Sequence, residues 1–261
     1  MHNSAEQAAA LQADLDTILR WTETWQLPLN LKKCSVLHLG PQKITYTYKL
    51  GGIDLIQSEV EKDLGIHVDA NLKFHKHSAV VAKKARGILA VIKRTFTCLD
   101  AKIVARLYKA IVRPTLEYGN CIWGPFFEGD KNMLEKIQRR ATKLVENLRH
   151  LPYQERLKQL NIPSLNFRRK RGDMITLFKI LSGRIKAEGV VPLGNPNQRT
   201  RGHALRLKKQ FARKLPRRHH LPIRACNDWN RLPGNVVQAR TLNAFKKSLD
   251  TLWHNQRFDF E

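Results

Sequence analysis

The sequence lacks any apolar stretch long enough to cross a membrane, and it has few cysteines. No apolar run approaches the roughly 20 residues that a transmembrane helix needs. The first residues, Met1–Glu6, place no basic region ahead of a short apolar stretch, so a secretory signal is not expected. The four cysteines lie far apart without a C-x-x-C pair, which argues against a disulfide framework and a zinc site. We therefore expect an intracellular protein, in the nucleus or the cytoplasm.

Acidic residues are scarce compared with basic ones. The 261 residues include 47 Lys and Arg against 22 Asp and Glu, a formal net charge of +25. The first 130 residues carry 17 basic and 13 acidic side chains, whereas the remaining 131 carry 30 and 9. This charge exceeds what solubility requires, and it predicts a polyanionic partner for the second half of the chain.

Common catalytic motifs are also missing. There is no G-x-S-x-G, no H-E-x-x-H and no Gly-rich phosphate loop, so the residues alone indicate no active site. Asp54, Asp63 and Asp69 could in principle gather a divalent metal, but each stands beside a turn or strand end, where Asp is common for backbone reasons. His75 and His77 with Asp69 match no strong ligand spacing and are expected in a solvated loop.

Apolar periodicity predicts an α+β fold that is mostly α-helical. A one-sided helix is predicted to end before Pro28. Over residues 36–68 the apolar period changes to two, which predicts a small antiparallel sheet. The Gly51-Gly52 dipeptide predicts a hairpin turn within it, because glycine readily adopts positive φ.

Beyond the sheet, the apolar spacing is that of α-helices. Asp100 and Asp130 are predicted to cap the second and third of these helices, and Pro114 is predicted to interrupt the second. On the outer face of the third, Glu135 stands four residues before Arg139 and predicts an ion pair.

The chain is predicted to divide into four parts. Residues 1–77 contain the sheet and 78–182 form a helical region whose last helix is predicted from about Leu165 to Leu181. Residues 183–198 are a linker rich in Gly and Pro, and residues 199–261 are a basic C-terminal segment of short helices.

Basic side chains off the apolar stripes are the strongest functional signal. Residues 199–224 contain ten basic residues and no acidic one. Each phosphate that a cation neutralises releases a counterion, so such a run favours binding to nucleic acid over a merely solvated surface. The candidate contacts are Lys83, Lys84, Lys93, Arg94, Arg139, Arg140, Lys143, Arg168, Arg169, Lys170, Arg171, Arg206, Lys208, Lys209, Arg213, Lys214, Arg217 and Arg218.

Two of these signals have other interpretations. The run Arg168–Arg171 fits a nuclear-import patch equally well. Aromatic residues could offer stacking faces to a single strand, although each of them fits a core position better. These aromatic residues are Tyr46, Tyr48, Phe74, Trp123 and Trp229.

Seven segments form an ordered series along almost the whole chain. They are Leu11–Asp16 with Trp21 and Trp25, Leu29–Cys34, Lys62–Asp69, Leu107–Gly119, Leu134–Thr142, Arg168–Asp173 and Trp229–Pro233. The series resembles the C-terminal part of the reverse transcriptase encoded by LINE-type (non-LTR, Jockey-like) retrotransposons.

The resemblance implies a role for each region. Residues 29–39 resemble the end of the palm, where Lys33 is implied to protonate or steady the departing pyrophosphate. Asp63-Leu64-Gly65 resembles the primer-grip hairpin that holds the 3′ end of the primer. The helices between residues 78 and 148 resemble the thumb, and the region beyond is implied to hold RNA or target DNA.

The family's catalytic aspartates have no counterpart here. In the family, a Tyr/Phe-Ala-Asp-Asp motif lies just upstream of the position that matches the first helix, and this sequence contains no Asp-Asp dipeptide. A two-metal site cannot form without those carboxylates, so the chain alone is expected to have no catalytic residue, no cofactor and no polymerase activity. The full-length family enzyme is expected to use Mg²⁺.

We therefore expect a C-terminal polymerase fragment that binds RNA, DNA or an RNA–DNA hybrid, and that could also bind the missing palm and fingers. One alternative is a complete reverse transcriptase whose upstream exons were lost in gene modelling, which the upstream genomic reading frame would show. Another is a host-recruited RNA- or chromatin-binding module, which stable expression of a folded chain would support.

Overall fold

A computed structural model describes residues 5–40, 46–187, 189–194 and 202–259. The chain forms two compact units that divide between Phe74 and His75. We call them the N-terminal and the C-terminal unit. Arg199 and Arg201 of the basic run, and much of the predicted linker, lie outside the described residues. No helix in the described part of the chain is long and apolar enough to span a membrane.

The N-terminal unit packs one long helix against short strands. Helix α1 places Leu11, Leu15 and Leu19 against Tyr48 and Leu50. The elements are α1 (Ala5–Thr24), a 3-10 turn (Leu31–Lys33), β1 (Ser35–Leu37), β2 (Lys49–Leu50), β3 (Ile53–Asp54), β4 (Ile56–Ser58), β5 (Val60–Asp63) and β6 (Ile66–Asp69).

The strands form three separate pairs instead of the single antiparallel sheet that was predicted. β2–β3 and β5–β6 are antiparallel hairpins, whereas β1 pairs with β4 in parallel. Each hairpin turns over two residues with positive φ, at Gly51-Gly52 and at Leu64-Gly65, which matches the twist of a tight hairpin. The β2–β3 hairpin lies between β1 and β4 in the chain. This long connection allows β4 to run parallel to β1.

In the described part of the C-terminal unit the regular elements are helices, apart from an isolated antiparallel bridge between Leu193 and Leu207, which confirms a mostly helical α+β chain. Its α7 was not predicted. The elements are α2 (His75–Thr95), α3 (Ala101–Leu107), a π-helical turn (Tyr108–Val112), α4 (Arg113–Glu117), α5 (Asn120–Trp123), α6 (Glu128–Thr142), a 3-10 turn (Glu146–Leu148), α7 (Tyr153–Leu160), α8 (Leu165–Leu181), α9 (Leu215–Arg218), α10 (Leu221–Arg224), α11 (Cys226–Asn230), α12 (Gly234–Val237), α13 (Leu242–Leu252) and a 3-10 turn (His254–Gln256).

One of the two predicted aspartate caps is confirmed. Asp100 accepts a hydrogen bond from the backbone N–H of Ile103 at 2.7 Å, as an N-cap does. The cap predicted at Asp130 is wrong, because α6 begins two residues earlier, at Glu128. Asp130 is buried inside the first turn instead, and its Oδ2 lies 2.7 Å from Nδ1 of His75.

The ion pair predicted on the outer face of α6 is also wrong. Glu135 faces the interior and accepts a hydrogen bond from the Tyr153 hydroxyl at 2.5 Å. Burial raises the pKa of the Glu135 carboxyl. The guanidinium of Arg139 lies over the Tyr153 ring, 4.8 Å from its centroid, which is within cation–π range.

Pro114 does not interrupt its helix. The π-helical turn from Tyr108 to Val112 runs directly into α4, with Pro114 in the first turn of α4. A proline ring clashes with the carbonyl four residues earlier, here that of Ala110, and the wider π-helical turn accommodates this clash. The Tyr108 hydroxyl donates to Gln138 of α6, which fixes the turn against the neighbouring helix.

Helix α8 shares one apolar core with the short helices that follow it. Met174, Leu177 and Phe178 of α8 are buried with Trp229 and Phe245 in one cluster. The Phe178 and Phe245 rings are stacked, with centroids 4.3 Å apart. The described part of the basic C-terminal segment therefore folds onto α8, while the boundaries proposed at residues 77/78 and 183–198 stay predictions.

We predict that Gly87→Ala stabilises the C-terminal unit by about 0.5–1 kcal/mol. Gly87 lies exposed within α2 with helical φ, and a methyl group there would meet nothing within 4 Å, so only the helix propensity changes. Gly183→Ala is the control, because it is equally free of neighbours but has a φ of +70° and should lose about 1–2 kcal/mol. Urea unfolding measures both, and equal effects of the two substitutions would contradict this account.

Candidate nucleic-acid interface

Two of the four residues in the basic run on α8 form ion pairs within the protein. Together with Asp173 of the same helix, each of them forms two hydrogen bonds with an oppositely charged side chain of another helix, and bidentate pairs of this kind are among the strong hydrogen bonds of proteins. The pairs are Arg168 with Glu117 of α4 (2.7 and 2.6 Å), Arg171 with Asp250 of α13 (2.5 and 2.8 Å) and Asp173 with Arg224 of α10 (2.8 and 2.7 Å).

Arg168 and Arg171 therefore have a different role from the predicted contact with nucleic acid. Both side chains are more than three-quarters buried, and their guanidinium groups already bind carboxylates. A nuclear-import patch at Arg168–Arg171 would need the same buried groups to be exposed. We leave both residues out of the interface.

Arg169 and Lys170, which lie between Arg168 and Arg171, are not paired with carboxylates of the described residues in this way. Lys170 is exposed, and Arg169 is half-buried and lines two neighbouring cavities. Among the described residues, no hydrogen bond or ion pair is formed by either side chain. The sequence did not separate these four neighbours, because helical spacing alone does not show which carboxylates from distant segments reach them.

Most of the other candidate cations are exposed. Arg139 over Tyr153 and the half-buried Arg206 are exceptions. The exposed ones are Lys83, Lys84, Lys93 and Arg94 on α2, Arg140 and Lys143 on and just after α6, Lys170 on α8, and Lys208, Lys209, Arg213, Lys214, Arg217 and Arg218 in the C-terminal segment.

Exposed cations gather at both ends of α6. Helices α2 and α6 run side by side in the same direction, since His75 meets Asp130 where both begin. Where they end, Lys93 of α2 and residues 144–149 line one cavity, so Lys93, Arg94 and Lys143 belong to the same end of the bundle.

A second group of cations lies at the beginning of α6: Lys131, Lys170, Arg217 and Arg218. Lys131 and Lys170 line one cavity. His219, which follows Arg217 and Arg218, stacks on Phe126 just before α6 with ring centroids 4.4 Å apart. Lys131 was missed by the sequence analysis, and it bonds Glu128 at 2.6 Å. From Lys131 to Lys143 the helical rise is about 18 Å, or roughly five nucleotide steps of a strand.

The candidates in the N-terminal unit lie on turns. Lys33 is exposed at the end of the 3-10 turn. Asp63-Leu64-Gly65 forms the turn of the β5–β6 hairpin, where the Leu64 side chain is 82% exposed. Their roles toward pyrophosphate and primer stay predictions.

The other candidates of the sequence analysis have structural roles. Tyr48, Phe74, Trp123 and Trp229 are buried and Tyr46 is half-buried, so these aromatic residues belong to the cores. Asp69 accepts hydrogen bonds from the backbone N–H groups of Asn71, Lys73 and Phe74 at 3.2, 3.0 and 2.5 Å. In the part of the chain that the structure describes, no three His, Cys, Asp or Glu side chains converge as metal ligands would.

The chain is similar to polymerases of mobile elements. It is 27% identical over 174 residues to the RNA-directed DNA polymerase from the mobile element jockey of Drosophila melanogaster, a match that covers 60% of this chain and 18% of that protein. It is 28% identical over 149 residues to the probable RNA-directed DNA polymerase from transposon BS of the same species, which covers 54% of this chain and 16% of the relative.

A third relative is closer to this chain in size. An uncharacterized protein of Caenorhabditis elegans is 30% identical over 136 residues, covering 51% of this chain and 69% of that protein. The chain spans less than a fifth of the length of the two polymerases. No protein-family profile and no solved structure matches it.

We predict that Arg168→Met destabilises the C-terminal unit by about 2 kcal/mol, whereas Lys170→Met changes its stability by less than about 0.5 kcal/mol. The first substitution leaves the Glu117 carboxylate without its partner in a mostly buried position, and the second removes an exposed cation. Both remove one positive charge from the same helix. Urea unfolding measures the free energy of unfolding of the two variants. An equal decrease in both would show that the Arg168–Glu117 pair does not stabilise the fold.

Proposed function

We propose that this chain, which is similar to RNA-directed DNA polymerases of mobile elements, is a part of a LINE-type retrotransposon polymerase and that it binds nucleic acid. The partner is a template–primer, an RNA–DNA hybrid, or a single strand of either kind. The phosphate backbone contacts the exposed cations of the C-terminal unit.

One observation carries this proposal: exposed cations that have no carboxylate partner among the described residues lie at both ends of α6. They are Lys93, Arg94 and Lys143 at one end and Lys170, Arg217 and Arg218 at the other. Elsewhere in this unit, Arg168, Arg171 and Arg224 are paired with carboxylates and are mostly buried. Lys93, Arg94 and Lys143 instead stay exposed at one end. A solvated surface of an ordinary protein mixes both signs of charge, while residues 131–261 carry 30 basic and 9 acidic residues.

The proposal extends to the N-terminal unit. Lys33 and the hairpin at Asp63-Leu64-Gly65 stand on exposed turns, where they could approach the pyrophosphate and the primer end. The 261-residue chain contains no Asp-Asp pair, so we propose that it binds a template–primer without extending it by itself.

Fluorescence anisotropy with a labelled RNA–DNA hybrid tests the binding. We expect log K to fall linearly with log salt concentration between about 50 and 200 mM, because bound phosphates release counterions. Lys143→Gln should reduce the slope by about 0.7–0.9, the amount for one phosphate contact. Lys158→Gln is the matched control, since Lys158 already bonds Glu155 at 2.9 Å and should leave the slope nearly unchanged.

Binding that does not respond to salt, or equal slopes for the two variants, would argue against the interface. Primer extension with Mg²⁺ on an RNA template tests the catalytic part separately. No extension above background is expected from the purified chain, and template-dependent extension would overturn that part of the proposal.

A further inference from the structure

A small cavity in the C-terminal unit is lined by charged and amide side chains together with apolar ones. It lies between α5, α6, α8 and the helices α9–α11 and has a volume of about 210 Å³. The charged and amide lining residues that bear on its chemistry are Asn120, Lys131, Arg169, Lys170, Arg224 and Asp228. Arg169 and Lys170 also line the adjoining cavity beside Glu135.

Arg169 is the unusual residue of this cavity. Its neighbours Arg168 and Arg171 each bind a carboxylate with two hydrogen bonds, whereas the Arg169 guanidinium forms no hydrogen bond or ion pair with any described residue. Burial lowers its pKa, and the charges of Glu135 and Asp173 oppose that effect. An arginine stays protonated in such surroundings, so the five N–H donors of this half-buried cation are without a hydrogen-bond acceptor among the described residues, although carboxylates lie nearby.

The residues that line this cavity carry an excess of about one positive charge, not counting Glu135 of the adjoining cavity. Asp173 is neutralised by Arg224, and Lys131 bonds Glu128 at 2.6 Å. Arg169 and Lys170 then remain, opposed by the carboxylate of Asp228.

His219, which also lines the cavity, does not add to this excess at neutral pH. Burial and the nearby charges of Lys131, Arg224 and Arg218 lower its pKa, so its ring is neutral near pH 7. The net charge of the lining therefore suits a group that carries one negative charge.

The cavity has room for a phosphate group. Its volume is about 210 Å³, and a phosphate group has five non-hydrogen atoms, each about the size of a water molecule, which occupies about 30 Å³ in the liquid. Because the cavity is partly open to solvent, a sugar and base attached to such a phosphate can lie outside it.

We propose that this cavity binds a single phosphate group, which Arg169 holds from inside and Lys170 from the rim. The planar guanidinium offers two parallel N–H donors to phosphate oxygens, and the ammonium of Lys170 adds a point charge. The phosphate can be a phosphodiester of a bound strand, with sugar and base outside, or a free phosphate. The site does not require the proposed function, because either source satisfies Arg169.

Calorimetric titration of the full chain with inorganic phosphate tests the site. We expect saturable binding to one site at constant ionic strength, and Arg169→Gln should weaken it ten-fold or more, because a charge-assisted bidentate contact is lost. Lys158→Gln removes the same charge from an exposed, paired position on α7 and should change the affinity less than two-fold. Lys170→Gln should weaken it several-fold and serves as the second variant if Arg169→Gln does not fold, as judged by circular dichroism.

A labelled oligonucleotide distinguishes the two sources. Competition between strand and phosphate, with both weakened in Arg169→Gln, supports a phosphodiester in the site. Phosphate binding that an oligonucleotide does not displace supports a free phosphate as the ligand. This outcome would support the site even if the chain bound no strand at all. The proposal is overturned if phosphate shows no saturable binding to the wild-type chain, or if Arg169→Gln and Lys158→Gln bind it equally well.

Discussion

The ion pairs of α8 are the interaction on which the C-terminal unit depends. Three bidentate pairs join this helix to α4, α10 and α13, and its apolar residues share a core with the segment that follows. A mostly buried charge is costly unless an opposite charge meets it in good geometry, so these pairs hold elements that are distant in sequence at fixed positions. The same pairs also decide which cations of the chain are left for a partner.

The division of charge follows from this constraint. Residues 131–261 contain nine acidic residues, and two of them, Asp250 and Asp173, are paired inside the unit with Arg171 and Arg224. The remaining cations at the two ends of α6 have few carboxylates to neutralise them. A polyanion can therefore approach this unit without displacing the pairs that stabilise it. The paired arginines serve stability, and the exposed cations are left for binding. The similarity of the chain to RNA-directed DNA polymerases of mobile elements agrees with such a partner.

The sequence predicted features that depend on local chemistry. The α8 bounds at Leu165 and Leu181, the Gly51-Gly52 hairpin and the Asp100 cap all follow from neighbouring residues, and the structure has them as expected. Features that depend on distant segments were predicted poorly. Asp130 resembled a cap but bonds His75, and Glu135 resembled half of a surface pair but faces Tyr153.

For the candidate site the same limit applies more strongly. Composition located the excess of basic residues correctly, since charge is a property of the sequence itself. The run at residues 168–171 could not be divided into paired and unpaired members, because the partners Glu117 and Asp250 lie 51 and 79 positions away along the chain. The unpartnered position of Arg169 has no sequence signal for the same reason.

The central claim is that exposed cations of the C-terminal unit, and not the paired ones, contact nucleic acid. Lysine acetylation followed by mass spectrometry, with and without a bound RNA–DNA hybrid, tests it most directly. The account predicts that the hybrid reduces acetylation at Lys93, Lys143 and Lys170, while Lys158 reacts equally in both samples. Uniform acetylation at all four positions in the presence of a saturating hybrid would contradict it.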